Sequence, residues 1–380
     1  MSNISDGNLR FSDFAFDIPK ELFRNSEHRG ADEAKLVVVD AASETIVHDR
    51  FRNLGDFLAD DDAIVLNDAG ISRSRLCGFA ESGQPLDVCF VLQEDSHLWE
   101  AMVLSDDGFP PAEGRFTLAG GIDGEVLGPV SAFGPDRIAE FDAQYWIERD
   151  RYHGYRALIR CAATKDQLRQ SLDVHGAFMY PWYTNHEHLA EDELNPITTR
   201  RLGAVLVSEP ARRLTPEMLV EMAGRGIDTI SVSLWMSFGW NFWDSDYGDM
   251  PLSDNKMNFE EYAVTDRAAG QIRDVVGTGR RLIGIGTSSV RVLESLPVPA
   301  AACDSRTNLF LSPGTKLKYC SGLLTNLHNS MATHIVMAAT FAPADLIREA
   351  YRQSIEYRYG FGIHGDSMLV IGDHTPTSAS

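Results

Sequence analysis

Cysteine is scarce in this chain, positive charge is outnumbered, and long apolar runs are missing. Each shortage removes a class of protein. The five cysteines, Cys77, Cys89, Cys161, Cys303 and Cys320, are scattered and form neither a CxxC pair nor a His/Cys cluster at zinc spacing. That argues against a disulfide framework and a zinc module, and buried thiols in a reducing, cytoplasmic setting are expected. No run approaches the about 18 apolar residues that a membrane-spanning helix needs. The first residues, MSNISDGNLRFSDF, lack the basic and apolar stretches of a secretory leader. Lys and Arg number 34 against 55 Asp and Glu, a net charge of −21. Phosphate contacts from basic side chains supply most of the affinity of nucleic-acid binders. The balance therefore speaks against DNA and against tight tRNA binding. The best local basic candidates are Arg73/Arg75, Arg200/Arg201 and Arg212/Arg213. Walker, HExxH and GxSxG elements are also missing, which removes the common nucleotide hydrolases, zincins and α/β-hydrolases. GFGIHG (Gly360–Gly365) fits GxGxxG, but it follows a helical pattern instead of a strand, so a dinucleotide site is not expected.

What is present is the texture of an α/β protein. At 380 residues the chain has room for two or three domains. Leu36–Asp40 and Ala63–Asp68 are apolar, strand-like runs, with a short helix expected between them over Leu54–Asp62. That helix ends in the acidic triplet Asp60–Asp62, expected as a solvated loop rather than a metal site. From Ser72 to Cys161, short alternating segments punctuated by Gly, Asp and Pro predict an antiparallel β unit. Beyond it lie a helix over Lys165–Asp173, a strand over Gly203–Ser208 and a helix capped by Thr215 with Pro216 in its first turn. A strand over Ile227–Trp235, a long loop, a helix over Thr265–Val276 and a strand leading to Gly286 follow. Two helices, His334–Thr340 and Pro343–Tyr357, precede a last strand, Ser367–Gly372. The expected fold is α/β: a mixed, mainly parallel sheet with an inserted antiparallel β-barrel. Residues 1–71 and 163–380 would form the α/β domain, and 72–162 the barrel.

One stretch carries more chemistry than any other. Arg281–Ser295, RLIGIGTSSVRVLES, runs from a short apolar strand through Gly284 and Gly286 into three hydroxyls, Thr287, Ser288 and Ser289. It ends in a periodic segment holding Arg291 and Glu294. Glycines let a backbone come close to a ligand. Hydroxyls and free amides at a helix start can hold a carboxylate or a ribose, and an arginine offers a bidentate partner to a carboxylate. The same residues also suit a buried strand with an ordinary capped turn. A second stretch, Trp235–Asp249, holds Trp235, Phe238, Trp240, Phe242, Trp243 and Tyr247 beyond a strand. These aromatics could stack on a purine or clasp a sulfonium, or fill a hollow beneath a loop.

Five blocks in order resemble one family: GIGTSSVRVLES, TNLFLSPG (Thr307–Gly314), LLTNLHN (Leu323–Asn329), EYRYGFG (Glu356–Gly362) and HGDSMLVI (His364–Ile371). They are similar to VGTTSVRxLES, IFIYPG, TNFHLP and YRFFSYGDAM of the S-adenosylmethionine:tRNA ribosyltransferase-isomerases of the queuosine pathway. NDAGISRSRL (Asn67–Leu76) resembles that family's NDTRVIPARL, just before its inserted barrel. The middle departs from the pattern. APTAGLHFT is here VSEPARRLT (Val207–Thr215), and TLHVGxGTF is SLWMSFGWNF (Ser233–Phe242), with Trp235 where the histidine would stand. HxMHSEY is NKMNFEEY (Asn255–Tyr262), and Gly70 stands where NDTRV has arginine.

The resemblance implies an S-adenosylmethionine-dependent transferase, with the donor as cosubstrate and no metal. Family members move a rearranged ribosyl group from S-adenosylmethionine onto a deazaguanine base in a tRNA anticodon, releasing adenine and methionine. The donor site is expected from Gly286, Thr287, Ser288, Ser289, Arg291, Asn326 and Arg358. Arg291 or Arg358 would take the methionine carboxylate, and Asp366 its ammonium. Catalytic candidates are His328, Asp366 and Glu209, with Glu294 more suited to pairing with an arginine. His328 suits removal of the acidified C5′ proton beside the sulfonium, though it also suits orienting its own loop. Trp235, Trp240 and Asn241 are expected to wall the substrate. Because the middle motifs changed together and the charge is acidic, the expected partner is a small-molecule acceptor of specialised metabolism rather than tRNA, with no membrane or DNA. The alternatives are a genuine tRNA ribosyltransferase-isomerase making epoxyqueuosine, or a non-catalytic S-adenosylmethionine-binding homologue.

Overall fold

The structure, a computed structural model, describes residues 9–23, 30–108, 110–129, 153–178, 195–197, 199–204, 209–237, 250–362 and 364–373. The strands before the barrel are β1 (Lys35–Asp40), β2 (Thr45–Arg50), β3 (Ala63–Asn67) and β4 (Ala69–Ile71). Those of the barrel are β5 (Arg73–Ala80), β6 (Pro85–Gln93), β7 (Leu98–Ser105), β8 (Gly114–Leu118), β9 (Ile122–Pro129) and β10 (His153–Cys161). After it come β11 (Ala177–Phe178), β12 (Arg201–Ala204), β13 (Asp228–Leu234) and β14 (Glu260–Val264). β15 (Leu282–Ile285), β16 (Cys303–Thr307), β17 (Cys320–Asn326) and β18 (Ser367–Ile371) complete the set.

Nine strands form one mixed sheet in the order β16-β14-β13-β3-β15-β17-β18-β1-β2. Its centre, β13-β3-β15-β17, is parallel; β18 turns antiparallel to β17, and β1 runs parallel to β18. The apolar runs in β1 and β3 are continuous because both faces are covered. Val37, Val39 and Val65 join one core with Ile272, Val290, Ile335, Ile347 and Tyr351 from four helices. Leu36, Val38, Ile64 and Leu66 join a second core with Leu54, Met218 and Met222 on the other face.

Local signals set the helix starts. Thr164, Thr215 and Thr265 each cap a helix through a side-chain oxygen that accepts an amide N–H. The segment around Leu54 is a 3₁₀ helix over Phe51–Phe57. It buries Phe51 and Leu54 beneath the sheet and ends earlier than the periodicity predicts. Asp62 also departs from expectation. It is buried, and its carboxylate takes two bonds from Arg281, at 2.8 and 2.6 Å, and one from the amide of Ala59 at 2.8 Å. A buried carboxylate must find such partners, so Asp62 staples β3 to the start of β15 instead of facing water.

In the barrel, β5-β6-β7-β10-β9-β8 pair antiparallel and close through β8 on β5, leaving those strands no free edge. Its interior is filled by Leu76, Val88, Val103, Phe116, Ile159 and neighbours. The β6–β7 turn reaches back to the main sheet. Arg306 of β16 donates to the carboxylate of Glu94 at 3.0 Å, to the carbonyl of Gln93 at 2.5 Å and to Glu261 at 3.4 Å. Among the described residues, no helix is long and apolar enough to cross a membrane.

Candidate active site

The strand directions gather the chemistry on one edge. The C-terminal ends of β13, β3, β15 and β17 and the N-terminal ends of β18 and β1 lie side by side. Trp235, Asn67, Gly286, Asn326, Asp366 and Lys35 therefore form a row along that edge, where open α/β sheets present ligands.

Gly286 is the hinge between β15 and the helix Thr287–Ser295. Its φ of +85° is closed to most L residues, and its amide donates to the carbonyl of Leu324 at 2.7 Å. Two residues earlier, Gly284 lets the helix lie on the strand: a Cβ there would stand 2.4 Å from Val290 Cγ2. No side chain caps this helix, so its first amides face the strand edge. Ser289 donates to the carbonyl of Ile285 at 2.9 Å. The Ser288 hydroxyl is buried and has no partner among the described residues. An orphan buried hydroxyl is costly, and here it sits at a helix start whose N-cap makes no side-chain hydrogen bond.

Arg291 points elsewhere. Its guanidinium pairs with buried Glu260 and donates to the carbonyls of Leu309, at 3.1 Å, and Thr307, at 3.2 Å. Glu260 also accepts the amide of Ser237 at 2.7 Å. This pair ties the helix to β14 and to the edge strand β16 and replaces the expected role of carboxylate clamp. Asp366 is likewise occupied. One oxygen accepts the amide of Lys35 at 2.8 Å and the other that of Gly360 at 2.7 Å. It clasps β1 and the Gly360 turn to the start of β18. Arg358, at φ +54°, is exposed, and its charge reaches Glu21 at 4.0 Å. Among the described residues Glu294 pairs with no arginine; it accepts the amides of Lys318, Tyr319 and Cys320 at 2.6, 3.0 and 2.8 Å. Glu209 opens the helical turn Glu209–Arg212; its side chain, with Trp240 and Asn241, lies outside the described residues.

His328 follows β17 directly. Its Nε2 lies 2.9 Å from Thr325 Oγ1, and its amide donates to the hydroxyl of Tyr351 at 3.1 Å. Burial, with His334 beside it, holds its imidazole well below the ordinary histidine range. Trp235 is half-buried at the end of β13, over Gly203, where a Cβ would stand 3.0 Å from the indole.

Arg213, read from the sequence only as half of a basic pair for phosphates, is 1% exposed and turned inward. It donates to Asn326 at 3.0 Å, Ser367 at 3.3 Å and the carbonyls of His364 and Gly365 at 3.1 and 2.8 Å. One guanidinium thus holds the end of β17 to the start of β18. The signal was available: Arg213 stands in VSEPARRLT at the seat of the histidine in APTAGLHFT. Asn67 was missed as well. Its side chain bonds both the carbonyl and the amide of Leu234 at 2.9 Å, and neighbouring Asp68 accepts Ser233 Oγ at 2.5 Å. At Gly70 a Cβ would stand 2.4 Å from Thr199 Cγ2 and 2.6 Å from Asn195 Oδ1, so a larger residue would have to displace those two side chains.

A nine-stranded mixed sheet with a glycine-hinged helix at its ligand edge and a barrel inserted after β4 defines a two-part α/β enzyme scaffold. The particular scaffold is shown by comparison: the chain belongs to the family described as queuosine biosynthesis protein, which matches residues 11–370. The S-adenosylmethionine:tRNA ribosyltransferase-isomerase of Symbiobacterium thermophilum is 30% identical over 368 residues, 96% of this chain and 100% of that protein. The one from Caldanaerobacter subterraneus is 27% identical over 367 residues, again 96% and 100%. The crystal structure of the S-adenosylmethionine tRNA ribosyltransferase from Thermotoga maritima shares the fold, with a TM-score of 0.50 at 19% identity, over 94% of this chain and 100% of that one. The chain is therefore an enzyme of a transferase–isomerase family. These relatives are named for tRNA, which overturns the expectation of a small-molecule acceptor. That expectation leaned on the changed middle motifs and on net charge, and net charge says nothing about where the arginines lie.

Proposed function

We propose that this enzyme transfers a ribosyl-derived group from S-adenosylmethionine to a base in tRNA, with release of adenine and methionine. The observation that carries the reading is the uncapped start of the helix Thr287–Ser295, with its buried, orphan Ser288 hydroxyl, inside a motif resembling VGTTSVRxLES. Its amides and hydroxyls would receive oxygen atoms of the donor. His328, neutral at neutral pH, would take the C5′ proton beside the sulfonium. Trp235 would wall the side where the acceptor base enters. Support for tRNA also comes from placement. Arg73, which opens β5, and Arg200 and Arg201, which lead into β12 against β4, flank the passage from sheet to barrel beside Asp68. Arg200 and Arg201 both donate amides to the Asp68 carbonyl, at 2.9 and 3.2 Å.

The test is incubation of the purified enzyme with S-adenosylmethionine and unmodified or precursor-bearing tRNA, read by mass spectrometry of adenine, methionine and digested nucleosides. Adenine release that depends on tRNA, with added mass on one nucleoside, is the expected result. Removing one phosphate-binding cation should lower the salt slope of tRNA binding by about 1, so replacing both Arg200 and Arg201 with Ala should flatten it by about 2. No donor consumption with any tRNA, in folded protein that binds S-adenosylmethionine, would leave only a binding role.

A further inference from the structure

The helix Thr333–Ala338 carries a histidine whose role the motifs do not explain. His334 lies flat on His328, with ring centroids 4.0 Å apart and planes within 14° of parallel. The chain between them folds back on itself. Met331 sits at φ +58°, a conformation that costs a non-glycine residue energy and persists only where the surroundings enforce it. The N-terminal segment enforces it here: the Met331 amide donates to the Phe14 carbonyl at 3.0 Å, and the Phe16 amide donates to Ser330 Oγ at 2.7 Å.

We propose that His334 is a positioning residue for the reaction: its ring, braced on His328, fixes the plane of that imidazole and keeps water off one of its faces. The inference rests on the reading of His328 as the base. Thr325 holds the edge of the His328 ring, Tyr351 holds its amide, and His334 covers a face. Among the described residues, the charged and titratable groups facing the pair are Arg291, from the helix Thr287–Ser295, and Tyr351, from the helix Ala344–Glu356. Neither favours a proton on the rings. Two imidazolium rings in face contact would repel. Burial, and then the Arg291 guanidinium, bring His334 down to about 4. The pair is thus neutral at neutral pH, the state in which His328 can accept a proton. A single exposed histidine would be partly protonated and free to rotate.

The test pairs His334→Ala, which removes the covering ring, with His334→Phe, which keeps a flat ring without a second base. Full-length enzyme labelled in its histidine rings is titrated by NMR to read His328 directly. The pH profile of donor consumption is measured on the same samples. In His334→Ala, His328 should titrate about 1 pH unit or more higher, and the acid limb of kcat should rise with it. The value of kcat should fall about tenfold with KM for S-adenosylmethionine within about threefold, the pattern expected when transition-state stabilisation is removed. His334→Phe should keep both the low His328 midpoint and most of kcat. An unmoved His328 midpoint in folded His334→Ala overturns the positioning role alone. A raised midpoint with an unmoved acid limb removes His328 as the base, and the positioning role falls with it. If His334→Ala does not fold, His334→Gln, which lacks both the aromatic face and the second base, carries the same test.

Discussion

At the residue scale, the polar side chains that look most like ligand groups in the sequence are often the ones holding the edge together. Asp366, Arg291 and Glu294 spend their charges on backbone amides, carbonyls and a buried partner. Burying a charge is tolerated only with such pairing, and sequence cannot tell a paired charge from one kept for substrate. The stacked histidines make a pH prediction. An unfolded histidine takes its proton near 6.5, whereas folded His334 does so near 4. Between those values the unfolded chain binds more protons, so the pair's contribution to stability is full above 6.5 and is lost as the pH falls through that window. His334→Phe lacks one of these titrations and should lose less stability on acidification. Urea midpoints at pH 7, 5.5 and 4.5 for both proteins check this; a difference that does not change with pH would refute it.

At the element scale, the long periodic segments were legible. Thr215 with Pro216, and Thr265, mark helix starts where the structure has them, and the apolar runs at Leu36, Ala63 and Leu282 are strands. The short strands at and next to the sheet edges, β2, β14 and β16, were not. TIVHDR and CDSRT are largely polar or charged, and EEYAV offers only three apolar residues, so pairing with a neighbour rather than a long apolar run makes them strands. That mattered for the site, because Glu260 on β14 is the partner that engages Arg291. The contact between β15 and the helix after it depends on Gly284. Gly284→Ala would press a methyl against Val290 Cγ2, at 2.4 Å, and its amide, at 3.3 Å. It should cost about 1–3 kcal/mol, read as a lowered denaturant midpoint, and should weaken donor binding by shifting the helix start. A variant as stable as the parent would show that the helix can move aside.

At the scale of the whole molecule, the barrel and the sheet are joined by the chain crossing at β4–β5 and, at a second place, by Arg306 of β16, which bonds Gln93 and Glu94 at the β6–β7 turn. The ion pairs of Arg306 are part-exposed, and such pairs contribute only about 0–1 kcal/mol. Arg306→Ala should therefore leave the melting temperature nearly unchanged, while hydrogen exchange at Gln93–Glu94 and in β14 rises. Unchanged exchange would mean that the turn is held by other contacts. The acidic total of −21 belongs to this scale too. It describes the average surface, and an arginine group where sheet meets barrel can coexist with it.

The order and spacing of residues by themselves determined the fold class, the inserted barrel and the family, because periodicity, turn residues and a series of matched blocks survive without knowledge of contacts. The resemblance also pointed to the glycine-hinged helix start. What only the tertiary structure decided is which polar groups remain available at the strand ends. Arg213 reaches four partners around residues 326 and 364–367, and His334 covers His328 because a braced turn folds it there. Those pairings join residues distant in the chain, or turn back on it at a single left-handed residue, and neither leaves a periodic trace in the sequence.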